Sequence, residues 1–249
     1  MEAKKHRLII LAGPSCVGKS PLAKSFARFY SELNESIKPL VLYNSRSPRP
    51  GEVDGTDYHF RSKEEIEKLK DNDGFVVMDV RGDMQALNLN ELASHLKNND
   101  VLFEGNPFIG KVLVNHPSLK DINRLSIFVS PLSKDEIEFL KAQEGITKLQ
   151  DIITDVMRRK LLRRTRRQKG NLSLKDLENI EKRASSAYTE LQDAHLYQYI
   201  ITNHDGEDHE NWDAFNYPLG DARKALIAFA NLISEKEAVT EKWDSQLLQ

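Results

Sequence analysis

Leu8-Ile9-Ile10-Leu11-Ala12-Gly13-Pro14-Ser15-Cys16-Val17-Gly18-Lys19-Ser20 is the stretch on which the reading of this chain turns. Five apolar residues stop at a glycine, as a buried strand does when it meets a turn. Gly13, Pro14, Ser15, Cys16, Val17, Gly18, Lys19 and Ser20 satisfy G-x-x-x-x-G-K-[ST] at each specified position. A helical pattern follows from about Gly18 to Leu33, the context in which this motif cradles phosphate. The glycines permit a tight loop whose N–H groups face phosphate oxygens, and the helix N-terminus adds positive potential. These eight residues are therefore expected to bind ATP, with Lys19 on the β- and γ-phosphates and Ser20 as a ligand of Mg²⁺. The bland alternative is a glycine turn of coincidental composition. Pro21 departs from the usual loop because it lacks the N–H that would meet the α-phosphate. Cys16 reads as a loop filler rather than a redox sensor.

Outward from that loop, the bulk numbers are those of an ordinary globule. The chain has 249 residues, 39% hydrophobic and 30% charged, with a net charge of −2. Nothing global argues for nucleic acid or a membrane as partner. No apolar run approaches the ~20 residues of a membrane span. Cys16 is the one cysteine, which excludes an internal disulfide and a Cys-rich zinc site. These features read as cytoplasmic.

Apolar runs predict strands at Leu8–Ala12, Pro39–Tyr43, Tyr58–Phe60, Gly74–Val80, Val101–Phe103, Leu125–Val129 and Tyr199–Ile201. Helical patterns lie at Ser62–Lys70 (Ser62 and Glu65 forming a capping box), Leu89–Leu96, Ser133–Tyr188 with breaks at Gly145 and Gly170-Asn171, and Gly220–Ile233. Residues 235–249 are expected to fray or to continue the last helix. Strands alternating with helices predict an α/β fold with a mostly parallel core sheet covered on both faces.

Glu104 closes the apolar run Val101-Leu102-Phe103 and is placed to hold Mg²⁺ with Ser20; an ordinary surface carboxylate is the competing reading. A second segment bears on the acceptor: Ser45-Arg46-Ser47-Pro48-Arg49-Pro50-Gly51-Glu52-Val53-Asp54-Gly55-Thr56-Asp57-Tyr58-His59-Phe60. Two arginines three apart, stiffened by prolines, form a clamp suited to phosphate, because each guanidinium offers a planar fork of donors. A structural hairpin with solvated arginines is the alternative.

This segment closely resembles the acceptor loop of guanylate kinases, T-T-R-x-P-R-x-G-E-x-x-G-x-D-Y-x-F, matching each fixed position from Arg46 to Phe60. Ile180-Glu181-Lys182-Arg183 and Tyr199-Ile200-Ile201-Thr202-Asn203 extend the likeness to residues 7–203 in outline. The resemblance implies a three-layer P-loop kinase fold over residues 1–249. Its core would be 1–41, 98–140 and 184–233, with an acceptor-binding subdomain at 42–97, a helical lid at 141–183 and a tail at 234–249. It also implies transfer of the ATP γ-phosphoryl group to a small phosphorylated acceptor, GMP by family. Arg46, Arg49 and Tyr58 would hold the acceptor phosphate, with Asn106 near its base. Leu42 and Val77 stand where the family has a serine and a glutamate, and Gly82-Asp83-Met84-Gln85-Ala86 where it has G-N-Y-Y-G. The phosphate half of the acceptor site is therefore expected to survive and the guanine-reading half to be altered, with Asp79, Asp83 or Asn106 as substitutes.

Arg158 to Lys169 holds eight Lys or Arg and no acid, while Asp205 to Asp213 holds five acids in nine positions. By resemblance the first block belongs to the lid, and Arg164, Arg167 and Arg183 are expected to act on the migrating phosphoryl group. A solvated helix or a nucleic-acid patch are the alternatives. The acidic loop reads as a partner of the basic lid, since His204 and His209 lack standard metal-ligand spacing. Two other readings are a P-loop kinase for another nucleotide, a phosphorylated sugar or a nucleic-acid end, and a non-catalytic interaction module. An intact Lys19 and Ser20 speak against the last.

Overall fold

The computed structural model describes residues 6–49 and 51–249; Met1 to Lys5 and Pro50 of the clamp, with anything the sequence implies for them, lie outside the described residues. The first strand, β1 (Arg7–Ala12), is buried at all six positions. A strand buried on both faces must be central and covered on each side. It pairs in parallel with β7 (Asp100–Gly105) and β8 (Asn123–Ser130). Outside these lie β2 (Ile37–Pro39) and β9 (Tyr199–Thr202), giving the order β2-β7-β1-β8-β9, parallel throughout. The chain leaves β1 toward one edge and later crosses to the other side at β8. The crevice beyond the C-terminal ends of β1 and β7 is thus the topological switch point where ligands of open α/β sheets bind.

Helix α1 (Lys19–Phe29) starts at the end of the glycine loop and packs on β7 and on α9 (Gly220–Ile233), the latter matching its expected bounds. Tyr30 (φ −128°, ψ 47°) ends α1, and α2 (Ser31–Asn34) follows, so the single helix expected to Leu33 is two. The expected strand Pro39–Tyr43 is also split. Pro39 ends β2 in the core sheet, and β3 (Tyr43–Asn44) belongs to a second sheet.

That sheet, β4-β3-β6-β5, comprises β3, β4 (His59–Phe60), β5 (Phe75–Val80) and β6 (Asp83–Asn88). Strand β6 was not expected; it pairs antiparallel with β5 from Phe75↔Asn88 to Val80↔Asp83. Helix α3 (Lys63–Lys68) carries the expected Ser62–Glu65 capping box, and α4 (Leu89–His95) returns the chain to β7. Helix α5 (Pro107–Asn115) was likewise unexpected, although Asn106 caps it by accepting from Ile109 N (3.0 Å) and Pro107 opens it.

Helix α6 (Lys134–Lys169) bends at Gly145, where φ is 77°, and ends at Gly170; both breaks were expected from the glycines. It packs along α7 (Leu174–Ser185) and α8 (Ala187–Gln192). The tail corrects a further expectation, since it neither frays nor extends α9. It turns back, forms a bridge from Glu241 to Ile200 of β9, and buries Trp243, Leu247 and Leu248. The apolar area this removes from water outweighs the helix propensity of a charged segment. Among the described residues no helix is long and apolar enough to cross a membrane.

Candidate active site

The loop between β1 and α1 is shaped by close packing. A Cβ on Gly13 would lie 2.4 Å from the carbonyl oxygen of Val129, and one on Gly18 would lie 2.4 Å from Asn203 Nδ2. Gly18 also has φ 102°, a left-handed conformation costly for other residues. Cys16 adopts φ 70° as well, with its thiol donating to Lys160 O (3.3 Å). Burial pushes that thiol's pKa up. Pro21 sits in the first turn of α1, where its missing N–H leaves no helical bond unmade.

Lys19 folds over this loop and donates to Gly13 O (2.7 Å) and Pro14 O (2.9 Å). Burial lowers its pKa against the opposing pull of Glu104 and Glu207. Ser20 donates to Glu104 Oε1 at 2.7 Å, which places the two expected metal ligands together at the ends of α1 and β7. A hydroxyl beside a carboxylate is a hard-oxygen pair that fits Mg²⁺, the remaining positions being left to phosphate and water. Burial raises the Glu104 pKa despite the Ser20 hydrogen bond and Lys19.

The clamp is also formed. Arg46 Nη1 and Nη2 each donate to Glu52 at 2.6 Å, and the guanidinium lies over the rings of Tyr58 and Phe60. Glu52 further accepts from Arg49 N (2.7 Å), so one carboxylate fixes both arginines. The Arg49 side chain is 47% exposed and open to a ligand. Burial raises the Tyr58 pKa against the opposing pull of Arg46 and Arg49.

Arg183, on α7, donates through Nε to Ser15 Oγ of the glycine loop (3.0 Å). Burial pushes its pKa well down, and the next strongest influences are the like charges of Arg164, Arg49 and Arg81. Of these guanidinium groups, Arg183 of α7 is the one bonded directly to the glycine loop. Arg164, on α6, is 6% exposed and donates to Glu207 Oε2 at 2.6 Å. Arg167 is not part of this group. Its side chain is 61% exposed and turns to the outer side of the acidic loop, donating to Asp208 O (3.0 Å) with Asp213 Oδ2 at 3.8 Å. Three residues apart on α6, the two arginines share one broad face, but Arg164 sits at its packed side under the acidic loop and Arg167 at its solvent-exposed margin.

Four contributors were not singled out from the sequence. Glu52 was part of the matched motif, which assigned it no role. Arg81 has φ 61° at the β5–β6 turn and reaches Glu190 and Ser186 on the core side. Asn44 and Gln85 are register partners across β3 and β6, 1% and 6% exposed. Asn106 donates to Gln85 Oε1 (3.1 Å), while Asn44 Nδ2 is buried without a partner among the described residues. Alternation of polar and apolar residues over 83–86 is the signal for the strand and its Gln85. Of the expected substitutes for the base-reading residues, Asp79 is committed to the turn, accepting from Gly82 N (2.6 Å). Leu42 belongs to the main apolar core and Val77 packs on a smaller one with Ile66, so both are structural.

The acidic loop docks on the glycine loop. Asn203 Nδ2 donates to Val17 O (2.8 Å), Glu207 N to Cys16 O (3.1 Å), and Trp212 Nε1 to Gly206 O (2.7 Å). His204 sits between two carboxylates, with Nε2 2.8 Å from Glu136 Oε2 and Nδ1 facing Asp221. Partial burial opposes its charge, but the two acids outweigh that and raise its pKa above 6.5. A raised histidine pKa contributes stability that is full below about 6.5 and lost as pH rises through the raised value. With the ring 42% exposed, screening limits the effect to about 1 kcal/mol, or roughly 2–4 °C in Tm. His204→Gln should therefore lower Tm at pH 6 and leave it nearly unchanged at pH 9. Equal losses at both pH values would remove the ion-pair account.

Comparison with known proteins agrees with this arrangement. The family model described as guanylate kinase matches residues 5–159. A guanylate kinase of Aster yellows witches'-broom phytoplasma is 47% identical over 73 residues, 29% of this chain and 33% of that protein. One from Mycoplasmopsis pulmonis is 30% identical over 211 residues, covering 82% of this chain and 89% of the relative. The crystal structure of guanylate kinase from Anaplasma phagocytophilum superposes with a TM-score of 0.55 at 18% identity, covering 95% of this chain and 89% of its own, a likeness of fold.

Proposed function

The chain belongs to the guanylate kinase family, and from that premise we propose that it transfers the γ-phosphoryl group of ATP to a nucleoside monophosphate, GMP being the family's acceptor. The observation that carries the reading is the set of cations held at the glycine loop: Lys19 on Gly13 O and Pro14 O, Arg183 on Ser15 Oγ, and Arg164 on Glu207, whose N–H donates to Cys16 O. Arg183 makes no ion pair among the described residues, and a cation left this way beside a phosphate-binding loop favours an anion such as a triphosphate.

In this reading the glycine loop and Lys19 hold the ATP phosphates, while Arg46, Arg49 and Tyr58 hold the acceptor phosphate. Phosphoryl transfer needs little covalent help from protein, because its transition state spreads charge over the migrating oxygens. Positioning and fixed positive charge therefore do most of the catalysis, and Arg164 and Arg183 supply that charge. Ser20 and Glu104 would hold Mg²⁺, which neutralises charge on the β- and γ-phosphates when bound. The lid helices and the acceptor sheet exclude water, which would otherwise take the phosphoryl group.

Acceptor choice is the second element of the proposal. With Leu42 and Val77 built into apolar clusters, guanine would be read by amides (Asn44, Gln85, Asn106) and by Asp83, close enough to Arg46 to act on its charge. A guanine donor left unpaired costs about 1–3 kcal/mol. We expect kcat/KM for GMP to fall about 10- to 100-fold below that of a family member carrying the serine and glutamate. The test is kcat/KM for GMP, dGMP, AMP and sugar phosphates under one ATP condition. Efficient turnover of GMP alone would overturn the altered specificity, preference for another acceptor would favour the second reading, and no turnover would favour the interaction module.

A further inference from the structure

The acidic loop at 203–213 brings a carboxylate among the cations that the proposed reaction uses. Its backbone is pinned at both ends. Asn203 and Glu207 bond to the glycine loop, and Asp205 Oδ2 accepts from Asn211 Nδ2 (3.0 Å) and from Ala222 N at the start of α9 (2.7 Å). From this fixed base the Glu207 side chain reaches Arg164 of α6, 43 residues away in sequence. The Arg164 guanidinium is buried, and its Nε–H has no partner among the described residues. A buried guanidinium held by one nitrogen, with another N–H unpaired, is aimed rather than satisfied.

We propose that Glu207 is a positioning residue: it anchors Arg164 through Nη1, relative to the glycine loop, so that Nε–H is presented to the phosphoryl group in transfer. The inference rests on the phosphoryl-transfer reading above. Since Glu207 N is bonded to Cys16 O, the carboxylate sets the spacing between the glycine loop and the lid helix. The groups facing Glu207 are Arg164, Lys19 and Arg183, with Glu104 of like charge nearby. Burial would raise its pKa, but those cations hold it below the usual range, so it stays ionised at neutral pH.

A rival account makes Glu207 an internal phosphate mimic that ATP must displace. The geometry favours positioning. A phosphate mimic would take the Lys19 ammonium, yet Lys19 donates to Gly13 O and Pro14 O. Arg164 alone among the three cations makes an ion pair with Glu207 among the described residues.

The experiment is steady-state kinetics with ATP and GMP, plus calorimetric ATP binding, on Glu207→Gln, Arg164→Ala, the double variant and Lys19→Ala. Glu207→Gln preserves shape and removes the charge, and a thermal melt checks that it folds. The expected result is a kcat loss of about 10-fold with the ATP Kd changed less than about 3-fold, the mark of a contact used in the transition state. In the Arg164→Ala background the same change should cost nothing further, because coupled residues act as one unit. Tighter ATP binding with unchanged kcat would overturn the proposal in favour of the mimic, and additive losses would overturn it by separating the two residues. If Lys19→Ala slows turnover while Arg164→Ala and Glu207→Gln do not, this inference fails and the kinase reading stands. If Lys19→Ala is also without effect, the kinase reading itself falls.

Discussion

Lys19→Ala should give a folded protein whose kcat is lower by about 10²–10³-fold, comparable to removing one preorganised group that stabilises transition-state charge. The half-buried ammonium lies against the glycine loop, bonded to two of its carbonyls and within reach of the charges on Glu104 and Glu207. Removing it deletes the cation nearest the site proposed for the β- and γ-phosphates and leaves Glu104 without a compensating charge. The fold should persist because the strand and helix flanking the loop are anchored by the apolar core rather than by Lys19. ATP affinity should weaken less than turnover falls, since charge on the transferring group is greatest in transit. Turnover by a folded Lys19→Ala protein at the wild-type rate would end the assignment.

Arg46→Ala should raise the KM for the acceptor by about 10- to 100-fold, the equivalent of losing one charge-assisted hydrogen bond worth about 1.5–3 kcal/mol. ATP affinity should stay nearly constant. Arg46 is preorganised by two bonds to Glu52 and by the rings of Tyr58 and Phe60, so little flexibility is lost when phosphate binds. Arg49→Ala should act in the same direction with a smaller effect, because Arg49 is more exposed and held by Glu52 only through its backbone and a longer 4.0 Å contact. Kinetics with each substrate varied separately distinguishes the cases. Weakened ATP binding with an unchanged acceptor KM would mean that the clamp serves the other substrate.

The contrast between what was legible and what was not follows the range of the forces involved. The glycine loop, the Ser62–Glu65 capping box, the breaks at Gly145 and Gly170 and the bounds of α9 all depend on neighbours close in sequence. Local chemistry suffices for these. Helix α5 was legible too, from Asn106 as cap and Pro107 at the first turn, but its internal Gly110 and β-branched residues mask the pattern. Strand β6 was less legible, because its polar–apolar alternation holds from Asp83 to Ala86 and breaks at Leu87.

The site divides in the same way. Lys19, Ser20 and the clamp arginines belong to contiguous motifs, and Glu104 follows an apolar run. The arrangement of Arg164 with Glu207, and of Asn44 with Gln85 and Asn106, exists only once distant elements meet. Arg167 was expected beside Arg164 because the resemblance places this basic block in the lid without fixing which arginines face the site. Which face of α6 turns inward depends on packing, and packing turns Arg167 outward, 61% exposed.

The tail bears on behaviour at high concentration. A sheet's outermost strand presents unpaired N–H and C=O groups that can recruit another chain, the first step toward aggregation. At β9 that row is interrupted by Glu241, which exchanges two backbone bonds with Ile200 (2.8 and 2.9 Å), while Trp243 and Leu248 seal the apolar surface beside it. The opposite border, β2, is three residues long and ends in Pro39, which has no N–H to offer. Both borders of the core sheet are thus blunted, one by brevity and proline and the other by the chain's own last turn. Resistance to strand-mediated self-association is built into a segment that takes no part in the proposed chemistry.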